Sequence, residues 1–384
     1  MYRIKFIFNI LSFHAGHMNR LLIISLLLIN AHSYAEEISV PISIEWQGDH
    51  VSTEEENHEK SGDYQSFSDI PMLRNLIVPD WFKQTFLDLP DDLHHAIEDG
   101  KLGLMLYFGQ QHCAYCEAMN EAIFEQEDFK TYISKYFDVI PIDVWGKLEV
   151  VNLQGKKTNE TQFANEMQAQ FTPTVIFYNV QGKEILRLRG YYPPYLFRTA
   201  LDYLVGGFYK IEKFANYVAK GDFMPPDNVS QKHTPALHQY ALFSRPPFQL
   251  QRNHLKASRP LLVIFEQPNC HACNLLHRDI LTDTTIINHL KKFEVVRLNR
   301  WKNTPLVTPT GEKITAEEWA NELGIFYTPS FLFFDEQGKQ ILRVESVIQR
   351  IRFHQILKYI LQKGYIETPI FERWISKQLT VQNE

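Results

Sequence analysis

Cysteine is scarce: only four of the 384 residues, falling as two pairs, Cys113/Cys116 and Cys270/Cys273. An exported chain stapled by disulfides scatters cysteines to join distant segments, and these pairs close loops too short for that, so a disulfide-scaffold fold is excluded. No long block of Lys or Arg is present and the formal charge is -6, which removes the electrostatic footprint of a nucleic-acid binder. The apolar run Leu21–Ile29 falls short of the roughly 18 to 20 residues needed to span a bilayer. Nor is the chain short of core-forming residues: 45% are hydrophobic and 22% charged, the balance of a globular protein. At 384 residues it is too long for one ordinary domain of about 100 to 200 residues, and two domains are the natural expectation.

Met18, Asn19 and Arg20 lead into that apolar run, and the small-x-small triplet Ser33-Tyr34-Ala35 follows it, the pattern of a cleavable export signal ending at residue 35. Met1 and Met18 both stay open as the start, because Met18 begins a complete signal by itself. A periplasmic or secreted protein is expected.

The chain repeats itself. Cys270 stands 157 positions after Cys113 (270 − 113), and Trp145/Trp301, Gly155/Gly311, Pro173/Pro329 and Gly182/Gly338 each recur at 156 (329 − 173), so one single-residue gap reconciles two copies. In the first copy Leu102–Phe108 reads as a buried strand, and a helix opens at the C-x-x-C. Phe137–Val144 is a second strand, and Asn159–Gln162 looks like a capping box. After Pro173 come strands Thr174–Tyr178 and Glu184–Arg189, then a helix over Pro194–Val205. The second copy gives strands Leu261–Phe265, Phe293–Leu298, Ser330–Phe334 and Gln340–Val344, a capping box at Thr315–Glu318 and a last helix near Arg350–Lys363. The prolines between Asp222 and Asn253 read as a linker, and polar Glu36–Asp69 is expected to be poorly ordered. The expected division is a signal over 1–35, a partly disordered extension over 36–89, domains over 90–208 and 256–375, a linker over 209–255 and a tail over 376–384.

Disulfide exchange needs a nucleophilic thiolate and a second thiol to resolve the mixed disulfide. A C-x-x-C at a helix start supplies both, since the helix N-terminus favours the thiolate of the first cysteine. Cys113 and Cys270 are therefore the expected nucleophiles, and Cys116 and Cys273 the resolving thiols.

Strand, C-x-x-C, helix, and later Thr-Pro before a strand pair with a Gly-Lys turn resembles the thioredoxin family, over roughly 90–208 and 256–365. The resemblance implies an α/β fold of two tandem thioredoxin-like domains, each a central mixed sheet flanked by helices. It also implies cis peptides at Thr172-Pro173 and Thr328-Pro329, where the residue before proline offers its backbone to an extended substrate. Gly100-Lys101, Phe108 or Phe265 at the strand end, and Arg187-Leu188-Arg189-Gly190-Tyr191 are most similar to SoxW-type periplasmic thioredoxin-like proteins, which implies a reductase linked to sulfur metabolism. Its substrates would be protein or small-molecule disulfides, its electrons would come from a membrane thiol donor, and it would need no organic cofactor.

Two departures stand out. His112 and Asn269 precede the first cysteines, and Tyr107 and Ile264 replace the family's buried acid, leaving Glu266, Glu117 or water to carry the resolving cysteine's proton. Ala114-Tyr115 and His271-Ala272 differ between the copies. Such dipeptides tune a range in which thioredoxin and DsbA lie about 150 mV, or roughly 7 kcal/mol, apart, so the two centres are expected to differ in potential and to form an internal relay. The alternative is a metal- or sulfur-carrier module using the cysteine pairs, with His112, His271 or His277, as ligands. Haem attachment is disfavoured because Glu117 and Asn274 stand where it requires histidine. Trp145 and Trp301 read as core or loop anchors.

Overall fold

A computed structural model describes residues 67–69, 78–169, 171–221, 241–254, 257–268 and 270–382. The expected export segment, most of the polar extension and the middle of the linker lie outside the described residues.

The first domain runs α1 (Leu89–Glu98), β1 (Gly103–Gly109), α2 (Ala114–Met119, continuing as a π-turn over Asn120–Phe124), α3 (Glu127–Tyr136), β2 (Phe137–Asp143), β3 (Glu149–Val151), β4 (Lys157–Asn159), α4 (Glu160–Glu166), β5 (Thr174–Asn179), β6 (Glu184–Arg189), α5 (Pro194–Val205) and α6 (Phe214–Gly221). Its sheet has the order β2-β1-β5-β6, with β1 parallel to β2 and antiparallel to β5. Strand β1 is an unbroken apolar run because it is covered on both faces, by separate hydrophobic clusters around Tyr107 and around Phe108. Gly103 lets β5 approach it: its φ is +147°, and a Cβ there would stand 1.9 Å from Tyr178 O.

The second domain repeats the plan: β7 (Phe248–Gln249), β8 (Leu261–Glu266), α7 (His271–Leu275, continuing as a π-turn over Leu276–Ile280), α8 (Thr284–Leu290), β9 (Glu294–Asn299), β10 (Pro305–Val307), β11 (Lys313–Thr315), α9 (Ala316–Leu323), β12 (Ser330–Phe334), β13 (Gln340–Val344), α10 (Arg350–Leu361), α11 (Gly364–Glu367) and α12 (Phe371–Gln382). The order β9-β8-β12-β13 reproduces the first sheet. Thr315 and Glu318 form the expected capping box of α9. At the other predicted box Asn159 caps α4 by accepting from Gln162 N, while the Gln162 side chain turns to Thr158. Among the described residues no helix is long and apolar enough to cross a membrane.

Several segments read as connections are built into the domains. Phe214, Ala215 and Val218 of α6 join the first core, and Phe248 and Leu250 join the second, although both stretches fall within 209–255. Helix α12 continues to Gln382, beyond residue 375. Phe67 and Asp69, from the stretch expected to be poorly ordered, are packed: Phe67 meets Tyr115 and Tyr191 edge-on, and Asp69 accepts from the N–H groups of Ile351 and Arg352 at the start of α10. Burial of an aromatic ring and a helix cap hold these residues where composition alone suggested no order.

The two copies exchange side chains where they meet. Phe171 leaves its own domain for the second core and stacks on Phe371, while Phe326, Tyr327 and Val347 enter the first core, with Phe326 stacked on Tyr192. Val347 N–H donates to Tyr191 O. Beside that bond Gly190, at φ +96°, is kept free of a Cβ by Ser346 Oγ, which would lie 2.0 Å from it. Each buried aromatic of this kind contributes about 1.5–3 kcal/mol by leaving water.

Candidate active site

Both cysteine pairs are closed as disulfides, with Cα–Cα separations of 5.2 Å. Cys113 and Cys270 are the N-cap residues of α2 and α7, and their sulfurs accept from the N–H of Cys116 at 3.1 Å and Cys273 at 3.0 Å. Each motif follows a wholly buried central strand, so the sulfurs emerge at the strand end onto an otherwise unpaired helix start. In the reduced state that N–H and the helix N-terminus favour negative charge on the first sulfur. The second cysteines, at 1% and 3% exposure, lie a turn deeper than the first, at 9% and 7%. Cys113 and Cys270 are thus the more accessible sulfur of each pair.

The Thr-Pro pairs meet these sulfurs from the far side of the sequence. Peptides Thr172-Pro173 and Thr328-Pro329 are cis, as the resemblance implied, and so is Pro246-Pro247 in the linker. Cys113 Sγ lies 3.4 Å from Thr172 Oγ1, and Cys270 Sγ lies 3.4 Å from both Thr328 Oγ1 and Thr328 O. Cys113, Cys116, Thr172 and Pro173 thus gather at one centre, and Cys270, Cys273, Thr328 and Pro329 at the other.

The surroundings differ. Tyr107, in the place of the family's acid, is fully buried against Phe82 and Phe124, and burial pushes its phenol far up, so it is a neutral hydroxyl throughout the working range. Glu266 and His277, expected respectively as a proton carrier and a possible ligand, bond to each other at 3.0 Å with 0% and 4% exposure. The first copy has Gly109 and Asn120 at the matching positions, so this buried acid–base pair belongs to the second centre alone. Glu117 is half-buried in the first turn of α2, while His112 and His271 are exposed. Among the described residues no three His, Cys, Asp or Glu side chains converge as metal donors. The two tryptophans anchor loops: Trp145 Nε1 donates to Gln110 and Trp301 Nε1 to Gln267.

A cluster at the first centre was not anticipated. Glu372 accepts from Gln110 Nε2 at 2.8 Å, from Arg352 at 2.6 Å and from Thr172 N–H at 3.3 Å, while Arg352 donates to Thr172 O at 3.0 Å. The Arg352 guanidinium lies between the rings of Tyr115, at 3.9 Å, and Phe171, at 4.2 Å. One signal in the sequence could have found it: Arg352 sits in the helical stripe of Phe353, Ile356, Leu357 and Ile360, where an unpartnered charge is costly.

A mixed sheet of this order with a C-x-x-C capping the helix after its central strand defines a thioredoxin-like protein. The thioredoxin-like domain model matches residues 89–205 and 249–361, more than half of the chain, and the chain belongs to that family. Among solved structures it is similar to a thioredoxin-fold protein from Helicobacter pylori, at 19% identity over 36% of this chain and 93% of that one, with a TM-score of 0.32. A thioredoxin from Thermus thermophilus is 25% identical over 31% of this chain and 84% of its own, with a TM-score of 0.25. A DsbH oxidoreductase is 20% identical over 34% and 86%, with a TM-score of 0.23. No curated protein matches the chain.

Proposed function

We propose that this protein is a periplasmic thiol–disulfide oxidoreductase that reduces protein or small-molecule disulfides. The observation that carries the reading is the duplicated centre, in which each first-cysteine sulfur caps its helix and faces a Thr-Pro pair. In the reduced state the thiolate of Cys113 or Cys270 attacks one sulfur of the substrate disulfide. The substrate S–S bond breaks, one substrate thiolate leaves and takes a proton, and a mixed disulfide forms. The thiolate of Cys116 or Cys273 then attacks the first cysteine, releasing the other substrate thiolate and closing the C-x-x-C disulfide. Two electrons have passed from the protein dithiol to the substrate, and a membrane dithiol donor restores them by the reverse exchange. The export signal pattern supports the compartment, and the resemblance to SoxW-type proteins supports the direction and a link to sulfur metabolism.

The test is the reduction potential of each centre, measured in glutathione or dithiothreitol buffers on the protein and its Cys113→Ser and Cys270→Ser variants. Two reversible two-electron couples, one lost in each variant, are expected. Absence of a reversible couple, or metal bound stoichiometrically with protected thiols, overturns the reading.

A further inference from the structure

An extended polypeptide docks on a fold of this kind by main-chain hydrogen bonds. At each centre the backbone beside the attacking sulfur is that of the threonine before proline. In the first domain both groups of that residue are already engaged, since Thr172 N–H donates to Glu372 and Thr172 O accepts from Arg352. Both residues belong to the second domain, on α12 and α10, and both are buried. Thr172 is consequently 0% exposed, and Tyr115, between the cysteines, is 2% exposed beneath the guanidinium. Asp69 completes the cover, its carboxylate within 3.4 Å of Tyr115 Oη and 2.7 Å of Arg352 N.

The second centre is different. Among the described residues no side chain of the first domain bonds to the backbone of Thr328. A cavity of about 240 Å³ lies along α7 and its π-turn, bordered by His271 and Ala272 between the cysteines and by Tyr327 and Pro329 on either side of Thr328. The repeat itself shows why the cover is one-sided. Helix α5 carries Leu196 where α10 carries Arg352 (352 − 156), and α6 carries Ala215 and Asn216 where α12 carries Glu372, so the first domain has no such pair to offer in return. The attacking sulfurs themselves are nearly equal in access, Cys113 at 9% and Cys270 at 7%. Thr328 is itself buried, at 7% exposure, so the difference lies in what the threonine backbone is bonded to and not in access to the sulfur.

We propose that Arg352 and Glu372 are specificity residues that close the first centre to polypeptide disulfides, so that extended protein chains are reduced at Cys270 while small disulfides react at both centres. This rests on the oxidoreductase reading. The exchange is the one written above, with a small disulfide R–S–S–R taking two electrons from the Cys113/Cys116 dithiol and leaving as two R–SH.

Full-length protein carrying Cys270→Ser with Cys273→Ser isolates the first centre, and Cys113→Ser with Cys116→Ser isolates the second. Each is reduced, and its rates are measured with glutathione disulfide and with an unfolded, disulfide-bonded polypeptide. The ratio of polypeptide rate to glutathione-disulfide rate should be lower at the first centre by roughly tenfold to a hundredfold, the effect of two main-chain hydrogen bonds. Adding Arg352→Met with Glu372→Leu, neither of which can bond to the Thr172 backbone, to the first-centre protein should raise that ratio towards the second centre's, leaving the glutathione-disulfide rate within about twofold. Equal ratios at the two centres overturn the proposal, as does a first-centre ratio unmoved by the double substitution. If neither centre exchanges with glutathione disulfide, the oxidoreductase reading falls and this proposal with it.

Discussion

Replacing Glu372 by alanine tests the contact between the two copies most directly. Its carboxylate is 3% exposed and receives Arg352, Gln110 and the Thr172 N–H, and Arg352 is itself buried between two aromatic rings. Truncation leaves a guanidinium with no counter-charge and strands the Thr172 donor. Breaking one side of a buried ion pair costs about 3–5 kcal/mol. With a urea dependence of about 2 kcal/mol per molar, the midpoint should fall by roughly 2 M. Removing both charges with Arg352→Met and Glu372→Gln should cost much less, since neither leaves an unpaired ion and the aliphatic chain still packs on Tyr115 and Phe171. Glu372→Gln alone should fall between, its amide oxygen still able to accept from Thr172. The assay is urea unfolding followed by tryptophan fluorescence, to which Trp145, near Arg373, and Trp374, in the second core, both report. A Glu372→Ala loss below about 1 kcal/mol, or a double variant as unstable as the single, would refute the claim that desolvated charge dominates this contact.

Gly103→Ala should prevent β1 and β5 from pairing, because its Cβ has 1.9 Å to Tyr178 O and its φ of +147° is strained for any L side chain. A loss of more than about 3 kcal/mol, or failure to accumulate soluble protein, is expected. Asp69→Ala removes the cap of α10 and should cost about 0.5–2 kcal/mol by thermal unfolding, with amide exchange at Ile351 and Arg352 accelerated. His289 and His354 stack at 4.9 Å, and burial, then neighbouring charge that includes Lys358, lowers both below the usual 6.5. The unfolded chain therefore binds more protons between these lowered values and 6.5, so their contribution to stability is fully present above 6.5 and is lost as pH falls through that window. The melting temperature should drop there, less steeply in His289→Gln with His354→Gln, and an unchanged slope would contradict the assignment.

What the sequence made legible was local. Strands Glu184–Arg189, Ser330–Phe334 and Gln340–Val344 and helix Pro194–Val205 have the predicted ends, because proline, glycine and a change of hydrophobic period mark each one. Helix α3 escaped notice because only Phe129 and Ile133 on it are buried, too few to show a period. Helix α8 opens with Thr284, Thr285, Ile286 and Ile287, whose branched side chains suit a strand by propensity and are helical through tertiary contact. The cysteines were legible because a helix start and its two thiols are four consecutive residues. Their partners Thr172 and Thr328 came through likeness to a family. Arg352 and Glu372 meet Thr172 from 180 and 200 positions away, and no periodicity or motif encodes that encounter.

The duplication shows how one centre came to be covered and the other not. The copies pack through the rims of their own sites: Phe171 and Tyr327, each just before a Thr-Pro pair, cross into the other domain's core, and Tyr191 bonds to Val347 at matched positions. Across this contact Arg352 and Glu372 of the second copy reach the Thr172 backbone of the first. Divergence at a few positions is then enough to separate the centres. Arg352 and Glu372 engage one threonine, while Leu196 with Ala215 and Asn216 leave the other alone. The copies differ further in Glu266 and His277, a buried hydrogen-bonded pair of the second where the first has Gly109 and Asn120. Polypeptide exchange, which needs a backbone edge not taken up by the neighbouring domain, is then served at Cys270.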